Sequence, residues 1–433
     1  MIFVLLLLQW PGSLPHYDAL VFAVGLTGGR ERPARSSPME DFTIISYPGS
    51  AGASLLSLTE KRSRYMLPFG GRYRVVDFTI RNSTAAGAQR TIIYNNIEDG
   101  LADYVEHYGP FRHQKFPAIR VVSRRRSDIQ FCYNLIMDAN TDYYVIYAGD
   151  NPSVIDFTEL IARYKKKRGG AVLYTLKLAE RESMAHTILV TNQKSLLGVV
   201  NAAMEEQRHS PNIFEMIINV MINSGIRRES MKAHYWPVKN IPEYYHVNME
   251  IMKNKDLFGL VFGDRALKGQ IKSHGIAFLG PHAKILHSFI SDGCRVHGTV
   301  QNSIVFPGVE IGERAVVKDS ILLPFCRIGA GARVLSTVVD EKTLPVPVTA
   351  EDGTTKMPPD FFTIGAHCHV GSESEGMKNN DFPRSIFKSI TLIGRDCEIP
   401  DASRVGGACY VAPGKGRDYF LKSKYLYDGL SVK

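Results

Sequence analysis

The sequence predicts an α/β protein in which a doubly wound, mostly parallel sheet is followed by a left-handed parallel β-helix of hexapeptide repeats. Between residues 43 and 192, short apolar runs alternate with helical patterns, which is typical of the strands and covering helices of a parallel sheet. After residue 287, apolar residues recur at a spacing of six or in matching blocks. That second pattern indicates a hexapeptide solenoid.

The composition is that of a globular protein that dissolves in water. Its 433 residues are enough for two or three domains, with a hydrophobic share of 44% and a charged share of 22%. A net charge of +9 suits binding of small anions and does not by itself indicate nucleic acid. The six cysteines lack C-x-x-C spacing, which favours a reduced cytoplasmic protein over a zinc ribbon. The apolar run 2–8 is too short to span a bilayer, so no membrane contact is expected.

The changes of pattern divide the chain into four parts. The thirty residues after the apolar run 2–8 have no clear period and are rich in Pro, Gly, Arg and Ser, so we expect residues 1–38 to be a disordered tail or an extension from a mis-assigned start codon. The sheet domain is expected at 39–258, a linker at 259–275 and the β-helix at 276–433.

The elements of the sheet domain follow from local periodicity. Strands are expected at 90–94, 118–122, 143–148, 171–176 and 187–191, and helices at 78–86, 101–107, 131–139 and 157–168. Ligands of doubly wound sheets bind beyond the carboxyl ends of the strands. Residues 49–54 and the pair Gly149-Asp150 are therefore expected at one edge of the sheet.

The β-helix is predicted from two repeats. Residues 302–312 and 319–329 match position for position, 17 residues apart, and the apolar residues at 393, 399, 405 and 411 recur every six. A set of unrelated β-hairpins is the alternative, but it does not explain a sustained period. Residues 343–359 interrupt the repeat and are expected to form an exposed loop. Cys294 and Cys326 fall on equivalent positions and are expected inside the coils.

The segment Pro68–Phe78, PFGGRYRVVDF, is the most distinctive stretch of the chain. Its two glycines allow a tight turn close to an anion, and Arg72 and Arg74 offer donors for phosphate or carboxylate. An ordinary loop is the plainer reading of such a turn. The segment resembles PFGGKFRxIDF of the ADP-glucose pyrophosphorylases, which are sugar-1-phosphate nucleotidyltransferases. With the β-helix, the resemblance covers about residues 40–433.

The resemblance implies a phosphate-binding loop, and this loop is incomplete here. The family loop GGxGxRL falls on residues 49–55, where Gly49 and Gly52 are kept and Ser54 replaces the arginine. Arg64 stands where the family segment T-x-x-R-A-K-P has lysine. The base-binding segment GTADA and the sugar-phosphate segment F-x-E-K-P have no counterpart. A working nucleotide pocket is therefore not expected.

The metal site implied by the resemblance is incomplete too. Asp150 falls on the metal ligand of the family motif G-D-H, although an aspartate after a strand is also a common turn cap. Val238 falls on the second carboxylate. A single carboxylate would hold Mg²⁺ weakly at best. His367-Cys368-His369 is a second conceivable metal site, but neighbouring side chains of a strand point to opposite faces.

Because of these departures, the chain resembles the non-catalytic D-type regulatory subunit of the family. We therefore expect a catalytically weak or inactive subunit of glucose-1-phosphate adenylyltransferase in glycogen synthesis, which assembles with a catalytic subunit. A sugar phosphate or another small anionic effector would bind at Arg72 and Arg74. One alternative is an active nucleotidyltransferase with an altered pocket. Another is a hexapeptide-repeat acyltransferase, whose candidate histidines would be His282, His287 and His297.

Overall fold

The computed structural model describes residues 40–49, 55–108, 118–123, 129–167, 170–177, 186–205, 212–263, 275–344, 348–349, 355–356 and 362–433. The expected extension 1–38 and most of the expected linker 259–275 lie outside the described residues. No helix in the described ranges is long and apolar enough to cross a bilayer.

The first half of the chain alternates strands with helices. Its strands are β1 Glu40–Tyr47, β2 Pro68–Phe69, β3 Tyr73–Arg74, β4 Ala88–Asn95, β5 Ala118–Ser123, β6 Tyr143–Ala148, β7 Ser153–Val154, β8 Ala171–Lys177, β9 His186–Asn192, β10 Arg227–Lys232 and β11 His234–Tyr235. Its helices are α1 Ser57–Glu60, α2 Val75–Ala85, α3 Leu101–Asp103, α4 Ile129–Ala139, α5 Phe157–Lys166, α6 Gln193–Glu205, α7 Ile213–Asn223, α8 Ile241–Lys253 and α9 Lys255–Phe262.

Seven of these strands form the main sheet, in the order β10-β8-β9-β6-β1-β4-β5. The predicted mostly parallel sheet is confirmed, with β9 alone antiparallel to its neighbours β6 and β8. The sequence pattern did not predict that β9 is antiparallel to its neighbours. Only residues 178–185 separate β8 from β9, and a parallel crossover needs a dozen residues or more, so the short connection requires the antiparallel arrangement.

Helices cover both faces of the sheet, as the doubly wound prediction requires. One face of β1 and β6, with Ile45 and Ile146, packs against α4, α6 and α7. The other face, with Ile44 and Val145, packs against α5. These four side chains are fully buried, and each such burial contributes roughly 1.5–3 kcal/mol. The sheet is therefore held in place by two apolar layers.

Helix α2 begins three residues earlier than the periodicity predicts. Asp77 occupies its third position and accepts a hydrogen bond from the backbone N–H of Arg74 at 2.8 Å. An acidic residue in the first turn satisfies an otherwise unpaired N–H and favours the positive end of the helix dipole. The cap therefore places the start of the helix at Val75.

The second half of the chain is a stack of short strands. They are β12 Phe278–Leu279, β13 Lys284–Leu286, β14 Phe289–Ile290, β15 Arg295–Val296, β16 Thr299–Gln301, β17 Ile304–Val305, β18 Glu310–Ile311, β19 Val316–Lys318, β20 Ile321–Leu322, β21 Arg327–Ile328, β22 Arg333–Leu335, β23 Thr337–Val339, β24 Val348–Thr349, β25 Thr355–Lys356, β26 His369–Val370, β27 Thr391–Ile393, β28 Arg404–Val405, β29 Tyr410–Val411, β30 Tyr425–Leu426 and β31 Ser431–Val432. One short helix, α10 Gly416–Phe420, lies among the last of them.

These strands build the three parallel sheets of a β-helix. The first sheet has the order β12-β15-β18-β21, the second β13-β16-β19-β22-β26-β28-β30 and the third β14-β17-β20-β23-β27-β29-β31. The predicted repeat of 17 residues is confirmed, because Ile304 pairs with Ile321 and Ile321 with Val338. Within the described residues, the expected loop 343–359 contains the one antiparallel pair of this half, β24 with β25.

The coils are also linked at one corner by hydroxyl groups. Ser288, Ser303 and Ser320 stack in successive coils, and each Oγ accepts the backbone N–H of the next coil, at 3.1, 3.0 and 3.2 Å. The interior of the coils is apolar and includes Cys294 and Cys326 as predicted, both fully buried.

The third sheet of the β-helix packs against the first half of the chain. Phe69, Phe78 and Tyr244 share one buried cluster with Ile304 and Ile321. The segment Pro68–Phe78 is thus enclosed between the first half of the chain and the β-helix. This packing determines where the candidate site residues lie.

Candidate functional site

The edge of the main sheet brings two predicted residues together. Gly49 follows β1 and Asp150 follows β6, and these two strands are paired in parallel. A Cβ atom on Gly49 would lie 3.3 Å from Asp150 Oδ1, so a larger residue at this position would require the carboxylate to shift by a few tenths of an ångström. Gly52 and Ser54, the other two residues of the predicted phosphate loop, lie outside the described residues.

Asp150 is enclosed by protein and is 2% exposed. Burial raises the pKa of its carboxyl, while Arg64 and the backbone N–H of Gly49 act in the opposite direction. The Nε atom of Arg64 lies 3.5 Å from Asp150 Oδ2, and the Nδ2 atom of Asn151 donates to Oδ1 at 3.2 Å. The carboxylate therefore has its counter-charge supplied from within the chain.

Arg64 is held between Asp150 and Val238. Its Nη2 donates to Asn151 Oδ1 at 2.8 Å and also to the backbone carbonyl of Val238. The backbone N–H of Val238 donates to the same Asn151 oxygen at 2.9 Å. Arg64 lies on a single turn of 3-10 helix over Arg64–Met66, and its side chain is 12% exposed. The guanidinium thus fills the space between the two positions at which the resemblance implies metal ligands.

These residues do not fit a magnesium ion held by paired carboxylates. Val238 is 1% exposed, and the one oxygen atom that it offers is the carbonyl bound by Arg64. Asp150 Oδ2 is buried without a hydrogen-bond partner among the described residues, and it faces the guanidinium. A divalent cation at this oxygen would lie against a like charge. No group of three His, Cys, Asp or Glu residues in the described part of the chain could hold a metal.

The turn at Gly70-Gly71 makes its close approach to the β-helix. Both glycines have positive φ, 65° and 82°, and a Cβ on Gly71 would lie 2.5 Å from the ring of Phe289. Helix α8 holds the turn from the other side, because Asn248 Oδ1 accepts the N–H of Gly70 at 2.8 Å. Arg72, next in the chain, reaches Asp292 of the β-helix with 3.5 Å between Nη2 and Oδ2.

Arg74 belongs to a buried ion network that the sequence reasoning missed. Its Nη2 lies 3.1 Å from Glu341 Oε2. Arg62 places Nη2 2.6 Å from Asp340 Oδ1 and Nη1 2.9 Å from Glu341 Oε1. Arg395 also contacts Glu341. Three guanidiniums and two carboxylates therefore join the first half of the chain to the β-helix, and we name this set the joint network.

The charges of the joint network are interdependent. Burial acts to raise the pKa of Glu341, but Arg74, Arg62 and Arg395 outweigh it and lower that pKa to about 2. The carboxyl of Asp340 is fully buried, and this burial raises its pKa against the effect of Arg62. One signal was present in the sequence: Asp340 and Glu341 directly follow the strand β23.

The predicted site residues thus form two separate groups. Gly49, Arg64 and Asp150 meet at the edge of the main sheet, whereas Arg72 and Arg74 lie at the contact with the β-helix and each faces a carboxylate there. Binding of an anion at Arg72 and Arg74 stays a prediction. The conceivable metal site at 367–369 has Cys368 buried in the coil interior, as alternation along a strand requires.

Comparisons with known proteins match the β-helix to a family model and most of the chain to named relatives. A family model described as "GlmU-like, C-terminal hexapeptide" matches residues 279–355. Three similar proteins, each named glucose-1-phosphate adenylyltransferase, come from Clostridium perfringens, Desulforamulus reducens and Pseudothermotoga lettingae. The first is 24% identical over 337 residues, covering 67% of this chain and 85% of the relative. The second is 22% identical over 405 residues, 83% and 95%. The third is 23% identical over 431 residues, 89% and 97%. The chain is therefore similar, across most of its length, to proteins named glucose-1-phosphate adenylyltransferase.

Proposed function

We propose that this chain is a regulatory subunit of a glucose-1-phosphate adenylyltransferase, catalytically weak or inactive by itself. The reaction joins ATP and glucose 1-phosphate into ADP-glucose and releases pyrophosphate, for glycogen synthesis in the cytoplasm. The names of the relatives and their coverage of both halves support this reaction. The six cysteines are free thiols, which agrees with a reducing compartment.

The contact between Arg64 and Asp150 beside Val238 is the observation that carries the proposal. Nucleotidyl transfer needs positive charge, usually a metal ion, placed on the phosphates of the nucleotide. Here the guanidinium is turned onto Asp150, Asn151 and the Val238 carbonyl. An arginine engaged in this way contributes less to stabilising the negative charge that develops on the departing pyrophosphate.

The partner in this proposal is a catalytic subunit, and the ligand is a small anionic effector. Arg72 and Arg74 connect the Gly70-Gly71 turn to Asp292 and Glu341 of the β-helix. A sugar phosphate that bound these arginines would compete with the two carboxylates. Effector binding would in this way change how the two halves of the chain contact each other.

The first experiment measures ADP-glucose formation with the purified chain, with a catalytic subunit from the same genome, and with both together. We expect negligible turnover by the chain alone and a changed rate or substrate affinity in the mixture. Robust turnover by the chain alone would overturn the proposal, as would a mixture that behaves like the catalytic subunit.

A pair of substitutions directly tests the role of the contact between Arg64 and Asp150 beside Val238. Val238→Asp combined with Arg64→Ala supplies a second carboxylate and removes the guanidinium, so we expect saturable Mn²⁺ binding that the natural chain lacks. Val238→Asn with Arg64→Ala is the matched control, because it has a similar shape without the added charge. Equal Mn²⁺ binding by the natural chain would show that Arg64 does not prevent metal binding.

A further inference from the structure

The second sheet of the β-helix carries a cavity on its outer face. The cavity has a volume of about 630 Å³ and is lined by strands β22, β26, β28 and β30 and by residues 371–374, which directly follow β26. The first half of the chain packs against the third sheet instead. The cavity is thus separate from the Asp150 site and from the joint network.

Four polar or aromatic side chains form a ladder along the floor of the cavity. Arg333 pairs with His369, His369 with Arg404, and Arg404 with Tyr425 in successive parallel strands. Adjacent strands lie about 4.8 Å apart, so the two arginines are roughly 10 Å apart with the imidazole between them. The ladder points outward because the next residue of each strand is buried in the coil interior, namely Val334, Val370, Val405 and Leu426.

The two carboxylates that line the cavity contact groups other than its two arginines. Glu373 lies 3.0 Å from Lys318, and Asp428 Oδ1 accepts the N–H of Gly407 at 2.7 Å. Among the residues that the structure describes, no carboxylate forms an ion pair with Arg333 or Arg404. Both arginines are exposed. Two guanidinium forks are therefore left to face the cavity.

We propose that this cavity binds the dianionic group of a small phosphate compound between Arg333 and Arg404, with His369 as the third donor. Guanidinium forks bind phosphate oxygens in pairs, with hydrogen bonds strengthened by charge. Tyr425 lies beside Arg404, 6.0 Å from the guanidinium carbon to the ring centre. With Tyr427, which is 72% exposed, it offers a surface for the organic part of a phosphate ester. This inference does not depend on the proposed function.

His369 gives the site a dependence on pH. Burial, Arg333 and Arg404 lower the pKa of its imidazole, and Glu373 opposes them. The remaining charged groups near it are Lys318, which pairs with Glu373, and Asp428. Without a ligand the imidazole is mostly neutral at pH 7. A bound dianion favours the protonated ring, so binding strengthens as the pH falls.

Calorimetric titration of the full chain with inorganic phosphate and with phenyl phosphate tests the site. Arg333→Gln and Arg404→Gln should each weaken binding about tenfold, the usual effect of losing one charge-assisted contact. Arg295→Gln, on the outer face of the first sheet, changes the net charge equally and should leave binding unchanged. Tighter binding of phenyl phosphate would assign the ester as ligand, and equal binding would assign the phosphate group alone.

Sulfate keeps its charge across the pH range and isolates the role of His369. Its affinity should rise between about pH 8 and pH 5 in the natural chain and stay level in His369→Gln. Unchanged binding in a variant that carries both Arg333→Gln and Arg404→Gln would overturn the proposal. Equal weakening by Arg295→Gln would overturn it as well, because the attraction would then come from net charge alone.

Discussion

Replacement of Glu341 by Gln should destabilise the protein by about 3 kcal/mol. The side chain of Glu341 is 5% exposed and contacts Arg62, Arg74 and Arg395, so its loss leaves buried guanidiniums without a carboxylate. Removal of one partner from a buried pair typically costs about 3–5 kcal/mol. The pKa of Glu341, about 2 against an ordinary 4.5, gives a similar value at about 1.4 kcal/mol for each unit.

The free energy of unfolding in urea, measured at pH 7 and again in acid, tests this value. The folded-state pKa lies below the unfolded one, so the contribution is complete above pH 4.5 and is lost as the pH falls towards 2. Glu341→Gln should therefore lose much less stability in that window than the natural chain. Burial raises the pKa of Asp77 to about 6, but this group acts equally in both proteins and cancels in the comparison.

Glu398→Gln is the matched control, because Glu398 pairs with Arg417, whose side chain is 62% exposed. Such surface pairs contribute about 0–1 kcal/mol. If Glu341→Gln cost no more than this control, or lost stability in acid as steeply as the natural chain, the charges assigned to the joint network would be wrong.

Three further predictions follow from packing. Gly71→Ala should cost clearly more in unfolding free energy than Gly87→Ala, since both have positive φ but only Gly71 would bring its Cβ within 2.5 Å of Phe289; equal costs would refute the steric part. Ser303→Ala should cost about 1–3 kcal/mol because it leaves the buried N–H of Ser320 unpaired, and a neutral result in urea unfolding would argue against the hydroxyl ladder. The six buried cysteines, whose thiol pKa values burial raises, should react with iodoacetamide many times more slowly in the native than in the unfolded chain; rapid native labelling followed by mass spectrometry would contradict their placement.

Local patterns predicted the architecture because each element repeats a simple rule. The spacing of 17 residues between Ile304 and Ile321 fixes their pairing in adjacent coils. The apolar run Tyr143–Ala148 indicates a buried central strand. The direction of β9 was missed, because it depends on the length of a connection and on neighbours distant in the sequence.

The position of the candidate site could be predicted from the sequence, but the contacts between its side chains could not. The strand ends placed Gly49 and Asp150 at one edge, but the contact of Arg64 with Asp150 depends on how the single helical turn that carries it is oriented. The joint network was harder still to foresee, since Arg62 and Asp340 are 278 positions apart. Contacts of this kind arise from the docking of two independently patterned halves.

The contacts of Arg72 and Arg74 fix how many coils separate Asp292 from Glu341 in the solenoid. Asp292, Pro307, Pro324 and Glu341 succeed one another along a single edge of the solenoid, linked by backbone hydrogen bonds from each coil to the next. The two arginines thus contact carboxylates that lie three coils apart along the stack, a span of about 14 Å. An inserted or deleted coil within this span would move one carboxylate out of reach. The two long connections of this half, from β23 to β26 and from β26 to β27, both lie beyond Asp340 and Glu341 in the stack, where added length leaves the spacing intact. Homologues should therefore vary in length beyond this span and keep the count of coils within it.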